Sequence, residues 1–161
     1  MSEFTHFNED GASRMVDVGS KKVTERMARA VAILEMQPET LQQIRDRKLS
    51  KGDVLEVARL AGIMSAKRTA DLIPLCHPLA IDAVTIEYEF PGPSRLRIES
   101  QVAVTARTGV EMEALVAASI TALTVYDMCK SVDRGMVLRD LHLLEKKGGR
   151  SGHFVHPDKG P

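Results

Sequence analysis

The stretch Val84 to Val104, VTIEYEFPGPSRLRIESQVAV, decides the fold. Val84, Ile86, Tyr88 and Phe90 alternate with Thr85, Glu87 and Glu89, the period-two pattern of a half-buried strand. Pro91-Gly92-Pro93-Ser94 is a turn cluster. Leu96, Ile98, Val102 and Val104 continue as the returning strand of a hairpin. Thr108-Gly109 then leads into a long helix, Glu111 to about Ser131, apolar almost all round: Leu115, Val116, Ala118, Ile120, Ala122, Leu123 and Val125. Such a helix is buried, against a sheet or another subunit.

Working outward, Met136 to Leu144 reads as a further strand. Upstream, Arg29 to Met36 is a short apolar run that periodicity alone leaves open between a strand and a buried helical turn. Pro38 and Glu39 open a helix with Leu41, Ile44 and Leu49 on its inner side. A second helical stretch starts near Lys51, with Val54, Val57, Ala58 and Ala61 at helical spacing. Gly62 is expected to interrupt it before helix resumes through Leu72, and Pro74 and Pro78 bracket a loop. With the first run taken as a strand, the order is β-α-β-β-α-β. That order predicts an α+β fold, a ferredoxin-like plait with two helices on one face of an antiparallel sheet.

The 161 residues suffice for one domain with a real core. The expected domain is 1–154, including an N-terminal arm of about twenty residues with the short apolar piece Met15 to Val18. The segment from Gly148 is rich in Gly, His, Pro and Lys and reads as a mobile tail, with 155–161 disordered. Aromatic content is 4% with no tryptophan, so the core is built from Ala, Val, Ile, Leu and Met. Lys plus Arg and Asp plus Glu both number 22, which argues against a broad basic surface for nucleic acid. The N-terminus lacks an apolar signal core, and no apolar run reaches the ~18–20 residues that span a bilayer. Two cysteines, Cys76 and Cys129, give no disulfide framework, and a reducing cytoplasm is the expected compartment.

Several residues could carry chemistry. Asp127 and Lys130 lie three apart on one face of the long helix. As a surface ion pair they contribute only about 0.3–0.5 kcal/mol. Their apolar flanks Val125, Tyr126, Met128 and Cys129 leave open a partly buried pair, which can act as base and acid, beside the surface-pair reading that spacing alone favours. Glu111, Met112 and Glu113 open the same helix, where carboxylates suit the dipole. Glu113 and Asp127, fourteen residues apart, are separated by about 21 Å along one helix. They either do different jobs or meet in a site completed by another subunit.

His77 stands before Pro78, held extended in a loop where an imidazole can exchange protons or contact phosphate. Cys76 beside it does not make a zinc site, because no CxxC or HxxxH spacing exists. The basic positions Lys51, Lys67, Arg68, Lys146, Lys147 and Arg150 read singly as solvated charges. The segment Lys146 to Gly152 can wrap a phosphate with backbone N–H groups and cations, although neither a P-loop nor a GxGxxG fingerprint is present.

Seven ordered blocks, MVDV (15–18), KGDV (51–54), AGI with AKRT (61–69), DLIPLCHPL (71–79), TGVEMEAL (108–115), YDMCK (126–130) and GGRSG (148–152), resemble the cyclic pyranopterin monophosphate synthase family over about residues 5 to 154. The resemblance implies a small cytoplasmic lyase of molybdenum cofactor biosynthesis with a ferredoxin-like fold; no cofactor or resident metal is expected. It implies a hexamer of three dimers with sites between subunits. The implied substrate is a GTP-derived 3′,8-cyclic dihydroguanosine triphosphate made by a partner radical enzyme. The implied products are cyclic pyranopterin monophosphate and pyrophosphate.

On this resemblance Asp127 is the catalytic aspartate and Lys130 its partner. Substrate contacts fall on Leu75, Cys76 and His77 and on Met112 and Glu113, with Lys51, Glu111 and Lys146 as further site positions. The expected division of labour gives proton transfers to Asp127 and Lys130, phosphate contacts to Lys51 and Lys146, and orientation of the pterin-forming part to His77 and Glu113. Arg150 departs from the lysine common in the GGKSG segment and replaces a point charge with a planar fork. Two other readings compete: a non-catalytic plait that binds a small regulatory ligand, and an RNA-binding plait, for which Tyr88 and Phe90 are the strand aromatics.

Overall fold

The computed structural model describes residues 6–47 and 52–157. Its elements are β1 (Thr24–Glu35), α1 (Pro38–Arg45), α2 (Val54–Ala66), α3 (Thr69–Leu72), β2 (Ala83–Glu89), β3 (Arg95–Ala106), α4 (Glu111–Cys129), β4 (Val137–Lys147) and β5 (Phe154–Val155). The sheet order is β2-β3-β1-β4-β5, antiparallel throughout, which is the expected plait with one short strand added at its edge.

The expected β2–β3 hairpin is present, with Ala83 opposite Ala103 and Glu89 opposite Arg97. β1 is longer than the apolar run suggested, beginning at Thr24. It is a central strand, flanked by β3 and β4. Ala28, Ala30, Ala32 and Leu34 enter the main core, while Val31 and Ile33 are buried with Leu144 in a second small cluster. Burial on both faces removes alternation, so the sequence pattern there was ambiguous.

α4 packs on β1, β3 and α2. Small residues let these layers approach closely: Ala114, Ala117, Ala118 and Ala122 on the helix meet the same core as the strand alanines. The helix's buried hydroxyls stay satisfied. Thr121 donates to the Ala117 carbonyl at 2.8 Å, and Ser100 of β3 donates to the Ala114 carbonyl at 2.6 Å. Among the described residues α4 is the one helix long and apolar enough to cross a bilayer, but it serves as a core helix with Ala114, Ala117, Ala118, Val125 and Cys129 fully buried.

Gly62 does not interrupt α2, which runs unbroken to Ala66 behind an Asp53 N-cap. The glycine is there for space. A Cβ at this position would overlap the Thr121 hydroxyl and lie 3.2 Å from the Ala117 carbonyl oxygen, so its absence sets the spacing of α2 against α4. At the other end of the chain, Phe154 pairs with Lys146, and the His156 N–H donates to the Leu144 carbonyl at 2.8 Å. The segment expected to be a mobile tail thus carries β5. The strand aromatics do not make an RNA platform. Tyr88 donates its hydroxyl to the Leu55 carbonyl at 2.8 Å, and Phe90 packs under Arg45, so both face the helical layer.

Candidate active site

One end of the sheet gathers most of the expected site residues. The antiparallel register places Thr24, where β1 begins, opposite Ala106, where β3 ends, and places Ala28 beside Lys146 near the end of β4. The loop from β3 into α4 starts at the same edge, and the α3–β2 loop carrying Leu75, Cys76 and His77 lies against it. The N-terminal arm crosses in front.

Two adjoining cavities result. The first, about 320 Å3, is lined by Leu75, Cys76 and His77, by Met112 and Glu113 at the start of α4, and by His6, Val16 and Val18 of the arm. The second, about 660 Å3, is lined by Lys21, Lys22, Arg26, Arg107, Lys146 and Arg150, with Glu111 as its acidic member and Gly149 and Ser151 in its wall. Lys21, Thr108, Gly109 and Glu111 line both, so the cavities form one divided cleft. Both volumes suit a small-molecule ligand, for which ~300–1,000 Å3 is usual.

The two halves differ chemically. The larger brings together six basic side chains and one carboxylate. Lys146 reaches Glu111 at 3.7 Å and hydrogen-bonds Ser151. Arg26 is anchored by donating to the Ala106 carbonyl at 3.1 Å. Gly149, with φ of 77°, leaves room for the Arg26 guanidinium that a side chain would fill. Such a basin binds a polyanion. The smaller half holds a buried carboxyl. Glu113 is only 4% exposed, and burial raises its carboxyl above the usual range, helped by the neighbouring Glu111 charge. Burial likewise raises the Cys76 thiol, with Glu113 adding to the effect, which disfavours the thiolate.

Asp127 and Lys130 are elsewhere. Lys130 donates to Asp127 at 2.5 Å at the C-terminal end of α4, in the open, and neither lines the divided cleft. The apolar flanks had suggested partial burial, but Val125 and Cys129 turn into the core and leave the pair on the outer face. Lys51 lies outside the described residues. Sequence reasoning missed Lys21, Lys22, Arg26 and Arg107. Each looks like an ordinary surface charge until the strand register brings residues some eighty positions apart to one edge; the Lys21-Lys22 pair just before β1 was the available signal. No group of three or more metal-ligating side chains occurs among the described residues.

Residues 15–149 match the family model described as MoaC family. The chain belongs to the MoaC family. Relatives at 54–58% identity agree. A protein of Desulfitobacterium hafniense named cyclic pyranopterin monophosphate synthase is 54% identical over 156 residues, covering 97% of this chain and 96% of the relative. One of Mycobacterium bovis, named cyclic pyranopterin monophosphate synthase 3, is 58% identical over 154 residues, covering 96% of this chain and 87% of the relative. One of Syntrophomonas wolfei with the first name is 56% identical over 153 residues, covering 94% and 98%. The MoaC match takes in most of the lining of both cavities, all but His6, Arg150 and Ser151, and also reaches the Asp127–Lys130 pair.

Proposed function

We propose that this MoaC-family chain is a cyclic pyranopterin monophosphate synthase, a lyase of molybdenum cofactor biosynthesis that converts (8S)-3′,8-cyclo-7,8-dihydroguanosine 5′-triphosphate to cyclic pyranopterin monophosphate and pyrophosphate. The observation that carries the reading is the divided cleft: a strongly basic half continuous with a smaller half holding buried Glu113 and His77. A nucleoside triphosphate has the same two-part character.

In this reading the triphosphate lies among Lys21, Arg26, Arg107, Lys146 and Arg150. Their fixed charges offset the charge that develops as an oxygen of the sugar part attacks the α-phosphorus and the bond to the departing pyrophosphate breaks. The planar fork of Arg150 serves two phosphate oxygens at once, where a lysine would serve as a point charge. Lys51, outside the described residues, is assigned a phosphate contact on the family resemblance alone. The guanine-derived part enters the smaller half, oriented by Leu75, Cys76, His77, Met112 and Glu113. A buried carboxylate is well matched to the N–H edge of a guanine-like ring, which supplies the hydrogen bonds that burial removed and favours the ionised form on binding.

Ring opening and reclosure need proton transfers, and Asp127 with Lys130 performs them from a second subunit. A separation of about 21 Å along α4 keeps them from the Glu113 of their own chain. A second copy, within a hexamer of three dimers, brings the pair to the cleft. The enzyme works in the cytoplasm on a substrate delivered by a radical enzyme, with no nucleic acid or membrane partner. Residues 1–154 act as one catalytic domain. The test is turnover of purified protein with the cyclic dihydro-GTP substrate, following pyrophosphate and the pyranopterin product. Formation of both in equal amounts is expected, and neither appearing from folded, assembled protein would refute the reading.

A further inference from the structure

We propose that His6, carried by the N-terminal arm, is a second proton-transfer group of the cleft, acting on the guanine-derived part of the substrate from the wall that the arm supplies. This rests on the synthase reading above and adds to it a residue from a segment outside the seven sequence blocks.

The arm is a built structure. Phe7 bridges to Ser13, and the Arg14 N–H donates to the His6 carbonyl at 2.8 Å. Asn8 closes the turn, its backbone exchanging with Ala12 and Gly11 at 3.0 Å while its side-chain oxygen accepts the Ala12 N–H at 2.7 Å. Gly11, with φ of 78°, takes the left-handed position that such a turn requires. The chain then returns along the cleft, where Val16 and Val18 line the same cavity as His6. The hairpin therefore fixes the His6 backbone beside a segment that is itself part of the cavity wall.

Chemistry supports a working role over a filling one. The titratable groups lining this cavity are Lys21 and His6 from the arm, Cys76 and His77 from the α3–β2 loop, and Glu111 and Glu113 from α4. Lys21 and Glu111 sit on the border with the basic half. Cys76 is kept as a thiol by burial. Imidazole is the side chain whose ordinary charge change falls near neutrality, and the cavity holds two, one on the loop and one on the arm. Opening a ring removes a proton at one atom and delivers one at another, which calls for groups on two walls. In this step the neutral His6 imidazole takes a proton from a substrate N–H or O–H and becomes imidazolium. It gives the proton back at reclosure, so none is gained or lost overall.

The test compares His6→Ala, His6→Gln and Asn8→Ala with wild type in the full chain, over pH 5.5 to 8.5, with and without added imidazole. Asn8→Ala loosens the hairpin but leaves the imidazole, and is expected to stay within about threefold of wild type with an unchanged pH profile. His6→Ala is expected to lose about 10²-fold in kcat, to lose one limb of the pH profile, and to recover partly with imidazole. His6→Gln, which keeps a hydrogen-bonding group but cannot carry the proton, should resemble His6→Ala in kcat while keeping KM. His6→Ala with wild-type kcat and pH profile would overturn the proposal while leaving the synthase reading intact. Equal losses in His6→Ala and Asn8→Ala with no imidazole rescue would assign His6 a structural role and also overturn it. Wild type without product would remove the synthase reading and this inference together.

Discussion

Asp127 accepts a hydrogen bond from Lys130 at 2.5 Å on the exposed end of α4, the opposite end of the helix from buried Glu113. An exposed pair of this kind adds only about 0.3–0.5 kcal/mol to the fold. Asp127→Ala and Lys130→Ala should therefore melt within about 2 °C of wild type, yet lose at least about 10²-fold in turnover. Calorimetry and product assay on the same preparations separate the two effects. A variant that unfolds in proportion to its lost activity would assign the pair a structural role.

Glu113 makes the opposite trade. Burial raises its carboxyl, so the folded state holds a proton more tightly than the unfolded state does. Its contribution to stability is therefore best below the ordinary value of 4.5 and declines as pH rises through the raised value. Glu113→Gln removes that charge, and should raise the melting temperature of the unliganded protein at pH 7 while lowering turnover by about 10²-fold. Melting curves at pH 4 and pH 7 check this: the gain should be larger at pH 7, and a loss at pH 7 would contradict it.

The charges on the open face of the sheet act in the other direction. Glu145 is held down to about 2 by hydrogen bonds from Lys147, His153 and Arg29, and Glu35 is lowered mainly by Arg139. Depressed carboxylates contribute stability that is present above about 4.5 and is lost as pH falls toward 2. Arg29 bridges Glu99 and Glu145, the latter at 3.0 Å. Arg29→Ala leaves two half-buried carboxylates without that guanidinium and should cost about 1–3 kcal/mol at pH 7. The cost should shrink in urea titrations at pH 3, because the unfolded chain takes up protons there while native Glu145 stays ionised, which removes part of the advantage that Arg29 gives the wild type.

Gly62→Ala tests the spacing of the helical layer. The added methyl overlaps the Thr121 hydroxyl, and the well-packed neighbours Ala117 and Ile86 leave little room to yield. The expected cost is about 1–3 kcal/mol, although alanine is the better helix former. Adding Thr121→Ala should recover part of it, and strictly additive losses in the double variant would show that the two residues do not share the space.

The fold was legible wherever a single face of an element is buried. β2 and β3 showed their alternation, and α4 its length and apolar girth, so the plait followed from 84–129 and its surroundings. β1 was hard to read because it is central and packs small residues on one side and Val31 and Ile33 on the other. Gly62 was misread because its reason is a tertiary approach, which local sequence does not record. β5 depends on a hydrogen bond from His156 to Leu144 that composition cannot announce. At the site, Leu75, Cys76, His77, Met112, Glu113, Glu111 and Lys146 do meet at one cleft. Arg26 and Arg107 escaped notice because only the pairing of β1 with β3 brings them to one edge, and Lys21 and Lys22 because they read as surface charges just before β1.

Mixing subunits tests the two-chain site directly. Glu113→Ala and Asp127→Ala, each expected to be inactive alone, are co-assembled and assayed for pyranopterin formation from the cyclic dihydro-GTP substrate. If each cleft takes Glu113 from one chain and Asp127 from another, on the order of a quarter of the sites in a random mixture regain both residues and activity returns. If the mixture is no more active than either variant alone while wild type turns over, the two residues belong to different sites and the account of a shared one is wrong.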